Sequence, residues 1–179
     1  MAHYPDLSFY QYCQGNPPQT KNVGWLQRGY AFETAPPSEE TLDLLWSFCK
    51  VSVMQMRGLH RCDLCPPHSA VVAIRDGLKL LLGSAEIRVL SKEGVSLLRQ
   101  RLLAEESAGL LFLKSAVPCN VYAAPNLVYH YVLAHSYKPP DEFLNALREE
   151  PRPPDEKYFQ CLEKLQLKWE LTSSPSLTM

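Results

Sequence analysis

Four residues offer the most direct chemistry in this 179-residue chain: Cys62 and Cys65 in "RCDLC", and His130 and His135 in "YHYVLAHSYKPP". A Cys-x-x-Cys turn brings two thiolates to one point, as a tetrahedral zinc site requires. Redox dithiols share that spacing, but they normally open a helix near a βαβ unit. Here a strand-like run precedes Cys62 and "PPH" follows Cys65, so no helix N-terminus is at hand to lower a thiol pKa. The pattern favours a metal knuckle.

Two further ligands are needed, and His130 and His135 have the four-residue gap seen between paired zinc-binding histidines. Five residues of ideal helix turn through about 500°, which leaves the two side chains roughly 140° apart. Both reach one ion only if the helix tightens or unwinds near His135. Pro139 and Pro140 are expected to end it just beyond. Another reading makes His130 a hydrogen-bonded core residue and His135 a C-terminal helix cation. His60, two residues before Cys62, is the rival ligand; His68 is a weaker one, and His3 reads as an exposed terminal residue.

Other catalytic patterns are lacking. The sequence has no Gly-rich phosphate loop, no Gly-x-Ser-x-Gly and no His-Glu-x-x-His. Zinc deaminases need His-x-Glu before Pro-Cys-x-x-Cys, and no such His-x-Glu precedes Cys62. Glu86 and Arg88 are the best candidates for a polar functional pair, although a surface ion pair is the expected reading. If the chain is an enzyme, Glu86 is its general base.

The elements that must position these groups are mixed. Up to residue 37, aromatics and turn formers suggest short strands, with Trp25, Leu26, Tyr30 and Phe32 as core anchors. "SEETLDLLWSFCK" reads as a helix capped by Ser38, with Cys49 facing the core. "KVSVMQMRG" is a strand, and "AVVAI" and "LKLLL" form a hairpin across "RDG". In "GSAEIRVL", alternation predicts a half-buried strand. "SKEGVSLLRQRLLAEESAG" reads as a helix and "LLFLK" as a strand. "APNLVYHYVLAHSY" reads as a helix with Pro125 in its first turn, and "PPDEFLNALREE" as the next. After a "PRPP" linker, "DEKYFQCLEKLQLKW" is a last amphipathic helix, and "LTSSPSLTM" a disordered tail. The fold class is α+β, a small mixed sheet with packed helices around a zinc knuckle. Residues 1–150 are expected to form one zinc-binding domain, and 151–179 an added helix and tail.

"NVGWL", "RGLHRCDLC", "LGSAEIRV" and "YAAPNLVYHYVLAHSYKPPDEFLNAL", in this order, resemble an uncharacterised family of small bacterial proteins. The family shows a Gly-x-His-x-Cys-x-x-Cys knuckle, a strand like "GSAEIRV" and a helix with two histidines ahead of a proline pair. The resemblance implies that His60, Cys62, Cys65, Glu86, Arg88, Tyr122, Pro125, His130, Tyr131, His135, Tyr137 and Pro140 are family positions. It implies no activity. Relative to the family's compact pattern, residues 66–82 and 91–118 read as insertions.

Composition narrows the rest. Eighteen Lys and Arg against nineteen Asp and Glu give a net charge of −1, which argues against a dedicated nucleic-acid binder. A secretory leader and a spanning apolar run are not expected, and of six cysteines only Cys62 and Cys65 stand at ligand spacing. The expectation is a cytoplasmic, reduced protein that binds Zn2+ and another protein, without membrane contact. Ranked behind this non-catalytic interaction or regulatory module are a metal-dependent hydrolase with an open zinc site, and then a small nucleic-acid-binding zinc module.

Overall fold

The computed structural model describes residues 3–12, 20–55, 58–66, 70–91, 121–149 and 151–172. The helix and strand expected over "SKEGVSLLRQRLLAEESAG" and "LLFLK", the tail after Thr172, and His68 lie outside these residues. In chain order the elements are β1 (Lys21–Asn22), α1 (Glu39–Cys49), β2 (Val51–Val53), β3 (Val71–Arg75), β4 (Leu78–Leu82), β5 (Glu86–Leu90) and β6 (Val121–Pro125). They continue with α2 (Val128–His135), α3 (Asp141–Arg148), α4 (Glu156–Lys164) and β7 (Trp169–Leu171). The class is α+β, as the sequence predicts.

Five strands form one mixed sheet in the order β1-β6-β5-β2-β7. β1 runs parallel to β6, and the other neighbours are antiparallel. β5 sits at the centre, and its period-2 pattern divides the two faces. Ile87 and Val89 belong to the main apolar core, as do Tyr122 and Ala124 on β6. Tyr122 meets Phe143 of α3 edge-on at 5.8 Å, so the helices cover this face. On the other face Ala123 packs with Tyr10 and Trp25 of the N-terminal segment.

That second layer corrects one expectation. β5 is not half-buried: Glu86, Ile87, Arg88 and Val89 are all 0% exposed. The Glu86–Arg88 pair, expected at the surface, is an internal ion pair of 2.5 Å. The alternation is real, but aromatic side chains replace water on the polar side. Trp25 and Leu26 are core residues as expected, whereas Tyr30 is 54% exposed and Phe32 only packs against the core's edge. His3 is not a bare terminal residue either. Its ring stacks on Tyr30 at 3.9 Å, and its Nδ1 lies 3.1 Å from the Trp25 carbonyl.

α1 forms where the sequence places it. The Ser38 hydroxyl accepts the Thr41 N–H, Glu39 and Glu40 favour the positive helix start, and Leu42, Leu45, Trp46 and Cys49 are buried. β3 and β4 form a separate hairpin through Asp76 and Gly77, both at positive φ, the backbone of a type I′ turn. Val71, Ala73, Leu80 and Leu82 face the core, while Val72, Ile74 and Leu81 face outward. Arg75 ties the hairpin to Glu39 and Asp43 of α1.

Two boundaries differ from the sequence reading. "VYAAP" is the strand β6, so Pro125 closes a strand instead of opening a helix. The last helix stops at Lys164, and Trp169 lies in β7, which pairs with β2 at the sheet's edge. Leu171, the first residue of the expected disordered tail, is in that strand too, and the next residue's N–H, that of Thr172, bonds the Lys50 carbonyl. Both misreadings involve short apolar runs whose state is decided by pairing with distant residues.

Candidate metal centre

The knuckle is a turn at Cys62–Cys65 in which the backbone N–H groups of Leu64 and Cys65 donate to the Cys62 sulfur. Arg28 donates to the Cys65 carbonyl at 3.1 Å and pins the turn's far side. Opposite lies α2. Cys62, Cys65, His130 and His135 each bring one donor atom to within 4.8 Å of all the others. Cys62 Sγ is 3.3 Å from His135 Nε2, and Cys65 Sγ is 3.3 Å from His130 Nε2 and 3.4 Å from His135 Nε2. The two Nε2 atoms are 3.2 Å apart.

These lengths test the fit of a metal ion. A tetrahedral ion with bonds of about 2.3 Å to sulfur and about 2.05 Å to nitrogen has N–N edges near 3.3 Å and S–N edges near 3.5 Å, each an approximate figure. Four of the six donor pairs, the two imidazole nitrogens and three of the sulfur–nitrogen pairs, stand within about 0.3 Å of those edges, and the other two lie within 4.8 Å. They can hold a metal ion. His60 is not a member of this group. Its backbone N–H instead donates to the Gly83 carbonyl at 2.7 Å.

How two histidines five residues apart reach one point is visible at the end of α2. The Ser136 N–H bonds the Tyr131 carbonyl five residues back, and the Tyr137 N–H bonds the same oxygen at 3.0 Å. The last turn is therefore wider than an α-turn. His135 is the last residue of the helix, beside this widened end, and its ring meets that of His130 edge-on at 5.0 Å. The helix gives way near His135, as the geometry requires, but the prolines are not the cause. Ser136 in the left-handed conformation ends α2, Tyr137 follows in a bridge to Thr34, and Pro140 is the N-cap of α3.

Burial sets the charges here. It pushes His130 down to about 4, with the neighbouring His135 adding to the effect, and it also lowers His135. Both imidazoles are therefore neutral at pH 7, the form that ligates. Burial likewise pushes the Cys62 thiol up to about 11, against the pull of its backbone donors. The Tyr131 ring lies 6.1 Å from His130 and 6.3 Å from His135. Its buried hydroxyl has no hydrogen-bond partner among the described residues. Burial first, and then Cys62, Asp63 and Cys65, keep that hydroxyl protonated.

Glu86 is placed elsewhere. Tyr10 donates to both of its carboxylate oxygens at 2.8 and 3.0 Å, Arg88 donates to one, and the Arg88 guanidinium lies 5.0 Å from the centre of the Tyr10 ring. Sequence reasoning missed Tyr10, Gly83 and Asn126. Asn126 left one local clue, an Asn in "APNL" where a strand gives way to a helix.

A family model for Domain of unknown function (DUF7919) matches residues 2–104 and 105–148. Neither a curated protein nor a solved structure matches the chain.

Proposed function

The chain belongs to the family Domain of unknown function (DUF7919), and we propose that it is a zinc-stabilised, non-catalytic module that binds another protein. One observation carries the metal reading: two thiols and two imidazoles, from segments 65 or more residues apart, bring their donor atoms within 4.8 Å of one another. Two sulfur and two nitrogen donors suit zinc, and four protein ligands leave no position for a reactive water. The ligands are Cys62, Cys65, His130 and His135.

The hydrolase alternative requires Glu86 as a base for zinc-bound water. Its oxygens are engaged by Tyr10 and Arg88 in a fully buried pair, which supports the non-catalytic reading. A protein partner is supported by the outward hairpin face, where Val72, Ile74 and Leu81 are 42%, 71% and 47% exposed. The net charge of −1 disfavours nucleic acid. No helix among the described residues is long and apolar enough to cross a membrane. A reduced, cytoplasmic setting follows from the two thiols that the site must keep.

Metal analysis of the purified protein tests this. One zinc per chain is expected, lost in Cys62→Ser and in His130→Ala or His135→Ala, with chelation lowering the unfolding temperature. Undiminished zinc in both histidine variants overturns the ligand assignment. Unchanged stability after chelation overturns the structural role.

A further inference from the structure

Asn126 occupies the turn between β6 and α2, where an Asn side chain ordinarily caps the following helix. It does not do so here: Leu127 is the N-cap, without any side-chain bond. The Asn126 Oδ1 instead accepts the Gly83 N–H at 2.5 Å. Asn126 is only 4% exposed and is held on two more sides. Its N–H donates to the Ala85 carbonyl at 3.0 Å, and its own carbonyl accepts from the Cys49 thiol at 3.5 Å.

Gly83 passes the connection on. Its carbonyl accepts the His60 N–H at 2.7 Å, two residues before Cys62. Gly83 has φ +99°, and a Cβ there would lie 2.0 Å from the His60 carbonyl oxygen. Only glycine lets the two backbones approach this closely. His130 follows four residues after Asn126, in the first turn of α2. One side-chain amide thus stands between the two halves of the metal centre, joined to the thiol half by two short hydrogen bonds and to the imidazole half by the four-residue step into α2.

We propose that Asn126 is a positioning residue of the metal centre, which sets the separation of knuckle and α2 through Gly83 and His60 and thereby the metal affinity. The inference rests on the metal reading and adds to it a determinant that touches no ligand. Partners outside the ligand set commonly change metal affinity 10–100-fold, roughly, when removed.

Cobalt(II) titration of the full chain, followed by its d–d and thiolate charge-transfer bands, is the test. Asn126→Leu keeps the volume and removes the acceptor. It is expected to weaken cobalt binding about 10–100-fold and to alter the bands. Asn126→Asp restores an acceptor oxygen at the same place and should recover most of both. Gly83→Ala forces His60 away from the other side and should reproduce the Asn126→Leu spectrum. A merely structural role would lower the unfolding temperature yet leave the affinity and bands of the folded fraction unchanged, and that result overturns the proposal. Should the variants not fold, amide exchange in the unaltered protein decides. Zinc must slow exchange at Gly83 and His60 more than at the β3–β4 amides, because coupling is reciprocal; equal effects overturn the proposal. Failure of the unaltered chain to bind cobalt or zinc instead overturns the metal reading beneath it.

Discussion

At the scale of single residues, the centre meets a metal with its imidazoles ready and its Cys62 thiol still protonated. His130, held down to about 4, stays neutral well below the ordinary histidine range. Cys62, held up to about 11, must release its proton whenever an ion binds at neutral pH. Metal affinity should therefore rise with pH, at least tenfold per unit between pH 6 and 8, because each unit removes a tenfold proton competition at Cys62. Competition with a chelator at pH 6, 7 and 8 checks this, and a flat profile contradicts it. Glu86 gives a second expectation at this scale. Breaking a buried pair by removing one partner costs about 3–5 kcal/mol, because the other charge is stranded. Glu86→Ala should lose about that much in urea unfolding, while Glu86→Leu combined with Arg88→Met should lose far less. That Cys62, Cys65, His130 and His135 come together was legible because ligand chemistry is restricted to a few residue types at a few spacings. Burial of Glu86 was not, since nothing in "AEIRV" shows that Tyr10, 76 residues earlier, closes over it.

At the scale of elements, the decisive piece is the last turn of α2. A non-glycine residue with φ 52° stands at Ser136, and the five-residue closure onto Tyr131 depends on it. A β-branched side chain tolerates that conformation poorly. Ser136→Val should destabilise the chain by about 1–2 kcal/mol and displace His135. The signature to look for is a cobalt complex whose bands shift while those of Ser136→Gly do not. The five-residue step pointed to such a distortion, since an ideal helix leaves its histidines apart; the agent was misassigned to the prolines. The β3–β4 hairpin was read correctly for a local reason: an Asp-Gly turn encodes its own positive φ values. Ala124, Pro125 and Trp169 were read as helix because the strand state of β6 and β7 comes from partners, Leu90 opposite Val121 and Val51 opposite Leu171.

At the scale of the whole molecule, an ion held by Cys65 and His130 would be a cross-link spanning 65 residues. It joins a loop outside the sheet to a helix packed on the core. A ligand that binds only the folded chain adds about 4 kcal/mol at a thousandfold excess over its Kd. For a chain of this length that is a rise on the order of 10 °C in Tm. Differential scanning calorimetry of zinc-loaded and chelated protein checks it, and equal transitions contradict it. The sheet has one more property with practical weight. Leu90 and Val121 are direct cross-strand partners, so the chain leaves β5 and re-enters β6 at a single point. The segment that joins those two residues therefore begins and ends at one address. Whatever the chain carries there is moored to β5 and β6 at a single spot, on strands that hold neither the knuckle nor the histidines of α2.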